Sequence, residues 1–206
     1  MNKKELLVKL HAYVASDGGI YSWKSKDIHG RKLRIRRRLR TKFFNKEETL
    51  IKDFIATIGQ LYPEVKSIRY YPKRMEVEVR NDTVSKNILG LGKVWSANWQ
   101  FPRNLTKRQT IIWIRAFSDG EGTVNNRDYD RYVAIASINF RGLKSISQAL
   151  KKLYIKNKIY NINYKSHQSY RLKISRKENL IRFYKIIGFN HPKRMERLKE
   201  AIESYK

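Results

Sequence analysis

Twice in this chain of 206 residues a short apolar stretch runs through two small residues, four apart, into an acid and a glycine. The first copy is Ala12-Tyr13-Val14-Ala15-Ser16-Asp17-Gly18, and the second is Ala116-Phe117-Ser118-Asp119-Gly120-Glu121-Gly122. Small residues at that spacing share one helical face and let two backbones approach closely. The pair predicts two helices packed side by side, with Asp17 and Glu121 emerging together at one end. An acid at a helix C-terminus meets the negative end of the macrodipole, and a second carboxylate beside it adds repulsion. A cation at the site relieves both. One such motif alone is accounted for by ordinary buried helices with surface acids. Two that match point to a metal-dependent site. Asp119, which does not align with Asp17, is expected to be a structural cap.

The same order of elements recurs around each motif. In the first half, helices are expected over 3–16, 47–61 and from Asp82, as N-cap, to Leu89. Strands are expected over 20–26 and 31–42, turning at Asp27–Gly30, and over 65–71 and 74–80 as a second hairpin. In the second half, Thr106 caps a helix to Ser118, and helices 143–153 and 177–187 follow. Strands 123–127, 131–139, 159–165 and 170–175 complete that unit, and a final helix covers 193–205. The expected fold is α+β: two αββαββα repeats related by a pseudo-twofold axis, each with a four-stranded antiparallel sheet. The repeats are placed at 1–97 and 105–206, with 98–104 as linker.

From Arg31 to Lys42 every even position is basic: Lys32, Arg34, Arg36, Arg38, Arg40 and Lys42. Leucine, isoleucine, threonine and phenylalanine occupy most of the odd ones. Strict alternation means a strand with one cationic face and one largely apolar face. Lys+Arg 46 against Asp+Glu 18 gives a net charge of +28, which opposes compaction and favours a polyanionic partner. The 41% hydrophobic content describes a folded protein rather than a basic tail. With no cysteine there is neither a disulfide nor a thiolate zinc site, and the four histidines are too scattered to predict a metal cluster. No stretch approaches a membrane span, so an intracellular protein of cytoplasm or nucleoid is expected.

With these motifs on the page, the sequence resembles the LAGLIDADG homing endonucleases in their monomeric, two-motif form. The second motif matches as Ile114-Arg115-Ala116-Phe117-Ser118-Asp119-Gly120-Glu121-Gly122, and the first as Leu10-His11-Ala12-Tyr13-Val14-Ala15-Ser16-Asp17-Gly18. The first departs from the pattern at His11 and at Ala15. The resemblance covers nearly the whole chain and looks closest to archaeal intron-encoded members. It implies motif helices at an internal interface, sheets forming a saddle over DNA, and cleavage of both strands with 3′ overhangs. Asp17 and Glu121, helped by the carbonyls of Ser16 and Gly120, are implied to hold Mg²⁺, with Mn²⁺ as a substitute. Asn45 and Lys46 occupy the place of the family's assisting polar residue and lysine. In the second half Asn139 and Arg141 sit near the corresponding place, where no lysine matches, so a chemically asymmetric site is expected.

Candidate DNA contacts are the polar faces of the hairpins, since two-stranded ribbons fit the major groove. They comprise Ser22, Lys24 and Lys26 with the basic strand already described, then Arg69, Tyr71, Glu76, Glu78 and Arg80. In the second half they comprise Asn125, Arg127, Arg131, Asn161, Asn163, Lys165, Arg171 and Lys173. Arg34, Arg36, Arg38, Arg40, Arg69, Arg80 and Arg171 suit guanine or phosphate, Asn161 and Asn163 adenine, and Glu76 or Glu78 cytosine N4. The expected partner is double-stranded DNA, with the chain's own intron RNA as a further one. A maturase or regulator binding nucleic acid without cutting is the alternative. A structural RNA-binding protein explains the charge but not the paired acids.

Overall fold

The computed structural model describes residues 1–29, 32–127, 130–164 and 167–205, with the backbone course alone at 25–29, 32–34, 163, 164 and 167. The first half runs α1 (Lys3–Asp17), β1 (Gly18–His29), β2 (Lys32–Phe44), α2 (Glu48–Leu61), β3 (Ile68–Tyr71), β4 (Glu76–Val79) and α3 (Asp82–Gly90). The second runs α4 (Lys107–Glu121), β5 (Gly122–Arg127), β6 (Asp130–Ser137), α5 (Phe140–Lys152), β7 (Lys158–Tyr164), β8 (His167–Ser175) and α6 (Lys177–Ile186). A further helix, α7 (Pro192–Glu203), has no counterpart in the first half. The two sheets share one topology, β1-β2-β4-β3 and β5-β6-β8-β7, antiparallel throughout. The duplicated α+β architecture expected from the sequence is therefore present.

Local sequence explains the helix starts. Asn2 with Glu5, and Thr106 with Gln109, form capping boxes that satisfy the first free N–H groups of α1 and α4. Asp82 is not the cap of α3: Asn81 accepts from Val84 N–H, and Asp82 at the next position accepts from Leu39 N–H at 2.6 Å. Asp82 thereby ties α3 to β2. The turn expected at 27–30 also moves, because β1 and β2 stay paired from Gly18↔Phe43 to His29↔Lys32. Gly30 of that turn lies outside the described residues.

One hydrophobic core passes through both halves. In the first half Phe43 stacks on Phe54 at 4.6 Å with Tyr13 against Phe43 at 5.2 Å. In the second, Trp113 stacks on Phe117 at 4.8 Å, and the linker adds Trp99 and Phe101 to the same cluster. His11, one departure from the motif, lies fully buried at the seam between α1 and α4. Its Nδ1 accepts from Trp113 Nε1 at 3.0 Å, which leaves Nε2 as the donor to the Gly92 carbonyl at 3.2 Å. Burial pulls its pKa down to about 4, so the ring is a neutral pin joining α1 to α4 and to the segment after α3.

The seam is close-packed. A Cβ added at Gly120 would stand 2.5 Å from Asp17 Oδ2 and 2.6 Å from Ser16 Cβ. Gly120→Ala is therefore expected to cost about 1–3 kcal/mol, as an overpacked contact does. Gly59 is exposed in α2 with nothing within 4 Å of the same added atom. Gly59→Ala should gain roughly 0.5–1 kcal/mol by improving the helix. Thermal unfolding of the two variants measures the contrast; a tolerated Gly120→Ala would mean the helices are not in contact there.

Candidate active site and nucleic-acid face

The seam delivers Asp17 and Glu121 to one end, where α1 and α4 hand over directly to β1 and β5. Asn45, just ahead of α2, donates from Nδ2 to Asp17 Oδ2 at 2.8 Å and accepts from Glu47 N–H at 2.8 Å. Its amide is thus locked on both sides and holds the carboxylate. A cavity of about 750 Å³ opens at Asp17, lined by Asn45, Lys46, Lys73, Arg74, Gly120, His191, Lys193 and Arg194, with Glu47 at its edge. Burial raises the pKa of Asp17, against the pull of the Asn45 hydrogen bond. Burial and then the charge of Asp17 push Glu121 up to about 7. Both carboxylates are thus short of positive charge.

Arg194, in the first turns of α7, partly meets that need. Its Nη1 donates to the carbonyl oxygens of Ser118 (3.0 Å) and Asp119, and its Nη2 to that of Gly120 (3.1 Å). These carbonyls end α4 and carry the negative end of its dipole. Asp119 is fully buried and accepts from Asn190 N–H (2.8 Å), Asn190 Nδ2 (2.9 Å) and His191 N–H (3.0 Å). It fixes the start of α7, the structural capping role expected of it, and burial raises its pKa to about 6. The other departure from the motif follows: Ala15 occupies Asp119's place in a half with no seventh helix to anchor. Nothing in the sequence distinguished Arg194 among 46 basic residues. The available signal was that 189–205 lies beyond the repeated unit.

The corresponding corner of the second half is built differently. Asn139 is buried as the N-cap of α5, accepting from Gly142 N–H at 3.0 Å and donating to the Trp99 carbonyl at 2.6 Å. It was expected beside the acids; its amide is instead spent on the linker. Trp99 itself closes over Gly142, where an added Cβ would fall 2.4 Å from the indole, and donates to Ser137 Oγ at 3.1 Å. A cleft of about 1100 Å³ lies there, lined by Arg141, Lys93 and Arg103 among others, and neither motif acid lines it. The larger cavity is therefore not the one with the carboxylates.

The sheets' open faces carry the cations, with two corrections of phase. Register places Tyr21 opposite Arg40 and Trp23 opposite Arg38, while Ser22 and Lys24 oppose Leu39 and Arg37. Cross-strand partners share a face. Ser22 and Lys24 thus lie on the face opposite Arg36, Arg38, Arg40 and Lys42, and two exposed aromatics join those cations. Arg37 Nη2 donates to Ser22 Oγ at 3.1 Å on the far side. In the second sheet Asn161 and Asn163 pair with Tyr170 and Gln168, on the face of Leu172 that packs on the core. Lys158 and Tyr160 share the open face with Arg171 and Lys173 instead, and Lys173 Nζ lies 4.1 Å from the Tyr132 ring centre. The polar residues of β1 and β7 are the contacts expected from the sequence; register gives the open face to the aromatics of those strands instead.

Two acids and one arginine were also misplaced. Glu76 and Glu78 are on the open face yet only 3% exposed, sealed by cations. Lys42 reaches Glu76 at 2.5 Å and Glu78 at 3.7 Å, Arg40 reaches Glu78 at 3.4 Å, and Arg80 bonds Glu78 as well. Despite burial, Arg80 and its cationic neighbours hold Glu78 below the usual carboxylate range. Neither glutamate is open to a cytosine. Arg131 turns away from the open face, donating to Ser204 Oγ and stacking on Tyr205 at 4.9 Å. Asn125 is held by the Asp130 carbonyl, while Arg69 and Arg127 are exposed and Tyr71 lies under Arg74 at 4.5 Å. The side chains of Lys26, Lys32, Arg34 and Asn163, and all of Lys165, lie outside the described residues.

By sequence, the LAGLIDADG-like domain family matches residues 109–188. No curated protein matches the chain by sequence. Among solved structures, I-DmoI in complex with DNA and Ca aligns with a TM-score of 0.72 and 24% identity over 97% of this chain and 100% of that one. The I-LtrWI LAGLIDADG homing endonuclease bound to target DNA aligns at 0.62 and 12% identity, over 97% of this chain and 89% of that one. Full-length DUF199/WhiA from Thermatoga maritima aligns at 0.63 and 14% identity, over all of this chain and 62% of that one. Residues 109–188 are thus similar to the LAGLIDADG-like domain, and the whole chain shares the fold of the I-DmoI and I-LtrWI structures.

Glu121 gives a test of the acid pair. In the folded chain it takes up its proton near pH 7, in the unfolded chain near the ordinary 4.5. Between those values the native state holds more protons, so stability rises as pH falls from 7 to 4.5; above 7 the native state carries the full penalty. In chelator, Glu121→Gln should therefore stabilise the protein by up to about 3 kcal/mol above pH 7, fading to nothing below 4.5. Denaturant titrations across this range measure it. A gain that does not change with pH would mean that Asp17 and burial do not act on Glu121.

Proposed function

We propose that the chain is a site-specific endonuclease that hydrolyses one phosphodiester on each strand of double-stranded DNA, leaving 3′ overhangs. The observation that carries this reading is the convergence of Asp17 and Glu121 at one end of the helix seam, between two basic sheet faces. Among the described residues no group of three or more His, Cys, Asp and Glu side chains gathers to hold a metal. Two carboxylates with the Ser16 and Gly120 carbonyls form an all-oxygen donor set. That set fits a hard divalent cation completing its shell with water and phosphate oxygens. Mg²⁺ is the ion proposed, with Mn²⁺ as a substitute; I-DmoI complexes include Ca, Mn and Mg. Such an ion, when bound, supplies an activated water and charge for the leaving oxygen.

The chain's own residues do the rest. Asn45 fixes the Asp17 carboxylate, and Lys46, Lys73, Arg74 and Lys193 line the cavity where the scissile phosphate enters. The open-face cations hold the duplex, Tyr21, Trp23, Tyr132 and Tyr160 add planar surfaces among them, and a monomer supplies both halves of the saddle. In the second corner the matching amide, that of Asn139, is committed to the Trp99 carbonyl, so the two strands meet unequal chemistry. A second reading, nucleic-acid binding without cleavage, is favoured by the commitment of the Gly120 carbonyl to Arg194 and of Asn139 to the linker.

Incubation of a randomised DNA library with the protein and Mg²⁺, with sequencing of cut ends, tests the primary reading. Defined ends with 3′ overhangs are expected. Asp17→Asn and Glu121→Gln should each lower cutting by roughly a thousandfold or more while leaving DNA affinity nearly unchanged. Cutting that survives in either variant would remove the acids from the mechanism. Binding without any cutting by the unaltered chain would favour the second reading.

A further inference from the structure

We propose that Arg194 is a positioning residue for the acid pair, the resident cation that holds the end of α4 and balances Asp17 and Glu121 before any divalent ion arrives. Three features carry the inference. One guanidinium donates to three successive carbonyls, those of Ser118, Asp119 and Gly120, and the last is a proposed metal ligand. The same group lies within Coulombic reach of Asp119, Asp17 and Glu121 and lines the cavity at Asp17. Its placement is reciprocal: Asp119 of α4 fixes Asn190 and His191 at the start of α7, and Arg194, one turn further on, returns to the end of α4. A planar fork can bridge diverging carbonyls in this way where a point charge cannot.

The consequence concerns how the site is kept ready. Two carboxylates held together by helix packing repel one another without a counter-charge, and the Gly120 contact leaves them no room to separate through the seam. Arg194 supplies that charge from the side, so the acids stay assembled in the free protein. A divalent ion then enters a site already partly neutralised, and its affinity is tempered by the guanidinium beside it.

A double-mutant cycle in chelator, at a pH well above 7 where Glu121 is charged, tests this without reference to cleavage. Arg194→Gln should lower Tm by roughly 4–10 °C. Adding Glu121→Gln should then raise Tm by more than the same change does in the unaltered chain. Equal gains in both backgrounds would overturn the proposal, reducing Arg194 to a cap on α4. If Arg194→Gln does not fold alone, recovery of a folded protein on adding Glu121→Gln is the same result in stronger form, and an unfolded double variant counts against it. Arg194→Lys, which keeps the charge and loses the fork, should show the smaller, wild-type-like gain.

The second arm rests on the endonuclease reading. Millimolar Ca²⁺ should raise the Tm of Arg194→Gln at least about twice as much as that of the unaltered chain. An equal or smaller rise overturns the tempering of ion affinity. No rise in either protein counts against the divalent-ion reading of the acids, and the chelator cycle alone then decides on Arg194.

Discussion

The contact of Gly120 with Ser16 and Asp17 is the constraint on which the rest of the molecule depends. It sets how near α1 and α4 approach, and because each helix passes straight into a strand, it also sets where both sheets begin. A Cβ at that point would push the helices apart, separating the carboxylates and the two basic faces together. The interface and the candidate site are thus one piece of geometry. Burial along the seam, at Tyr13, His11, Trp113 and Phe117, holds two like-charged groups at a separation they would not choose. Burial raises both carboxyl pKa values, the charge of Asp17 raises that of Glu121 further, and a cation is the natural third member.

Much of this was legible in the sequence, for identifiable reasons. The small-residue spacing forecast the seam, alternation forecast β2, and the repeated order of elements forecast two sheets of one topology. Alternation tells which residues share a face but not which face stays wet. At β1 and β7 the polar residues Ser22, Lys24, Lys26, Asn161 and Asn163 are the contacts expected from the sequence, with Tyr21, Trp23 and Tyr160 on the other side. Register with β2 and β8 places them outward among arginines and lysines. A strand whose partner's phase is already known should be read through that partner. Residues acting across the repeat boundary were not legible at all: Arg194 and Trp99 act where duplication fails, one in an added helix and one in the linker.

Those two residues also show how a duplicated scaffold becomes unequal. Asn45 and Asn139 occupy equivalent positions ahead of α2 and α5, and each accepts from the N–H of a residue at or near its own helix start. What their amide groups then donate to differs: a motif carboxylate in one half, a linker carbonyl in the other. The difference does not come from the asparagines but from what covers them. Joining two repeats in one chain requires a connector, and this connector buries its tryptophan in the second corner.

The charge on the open faces is arranged for exchange rather than simply accumulated. A net charge of +28 on a chain this size repels itself, and the glutamates at 76 and 78 lower that repulsion where the strands are closest. Each is shared among several cations, so Lys42, Arg40 and Arg80 stand in fixed positions. An arginine so paired is pre-oriented, but part of its charge is already compensated within the protein. Counterion release on binding scales with the phosphates actually neutralised. The salt dependence of binding is then governed by fewer charges than the 46 basic residues imply. Orientation is gained at the cost of raw electrostatic attraction.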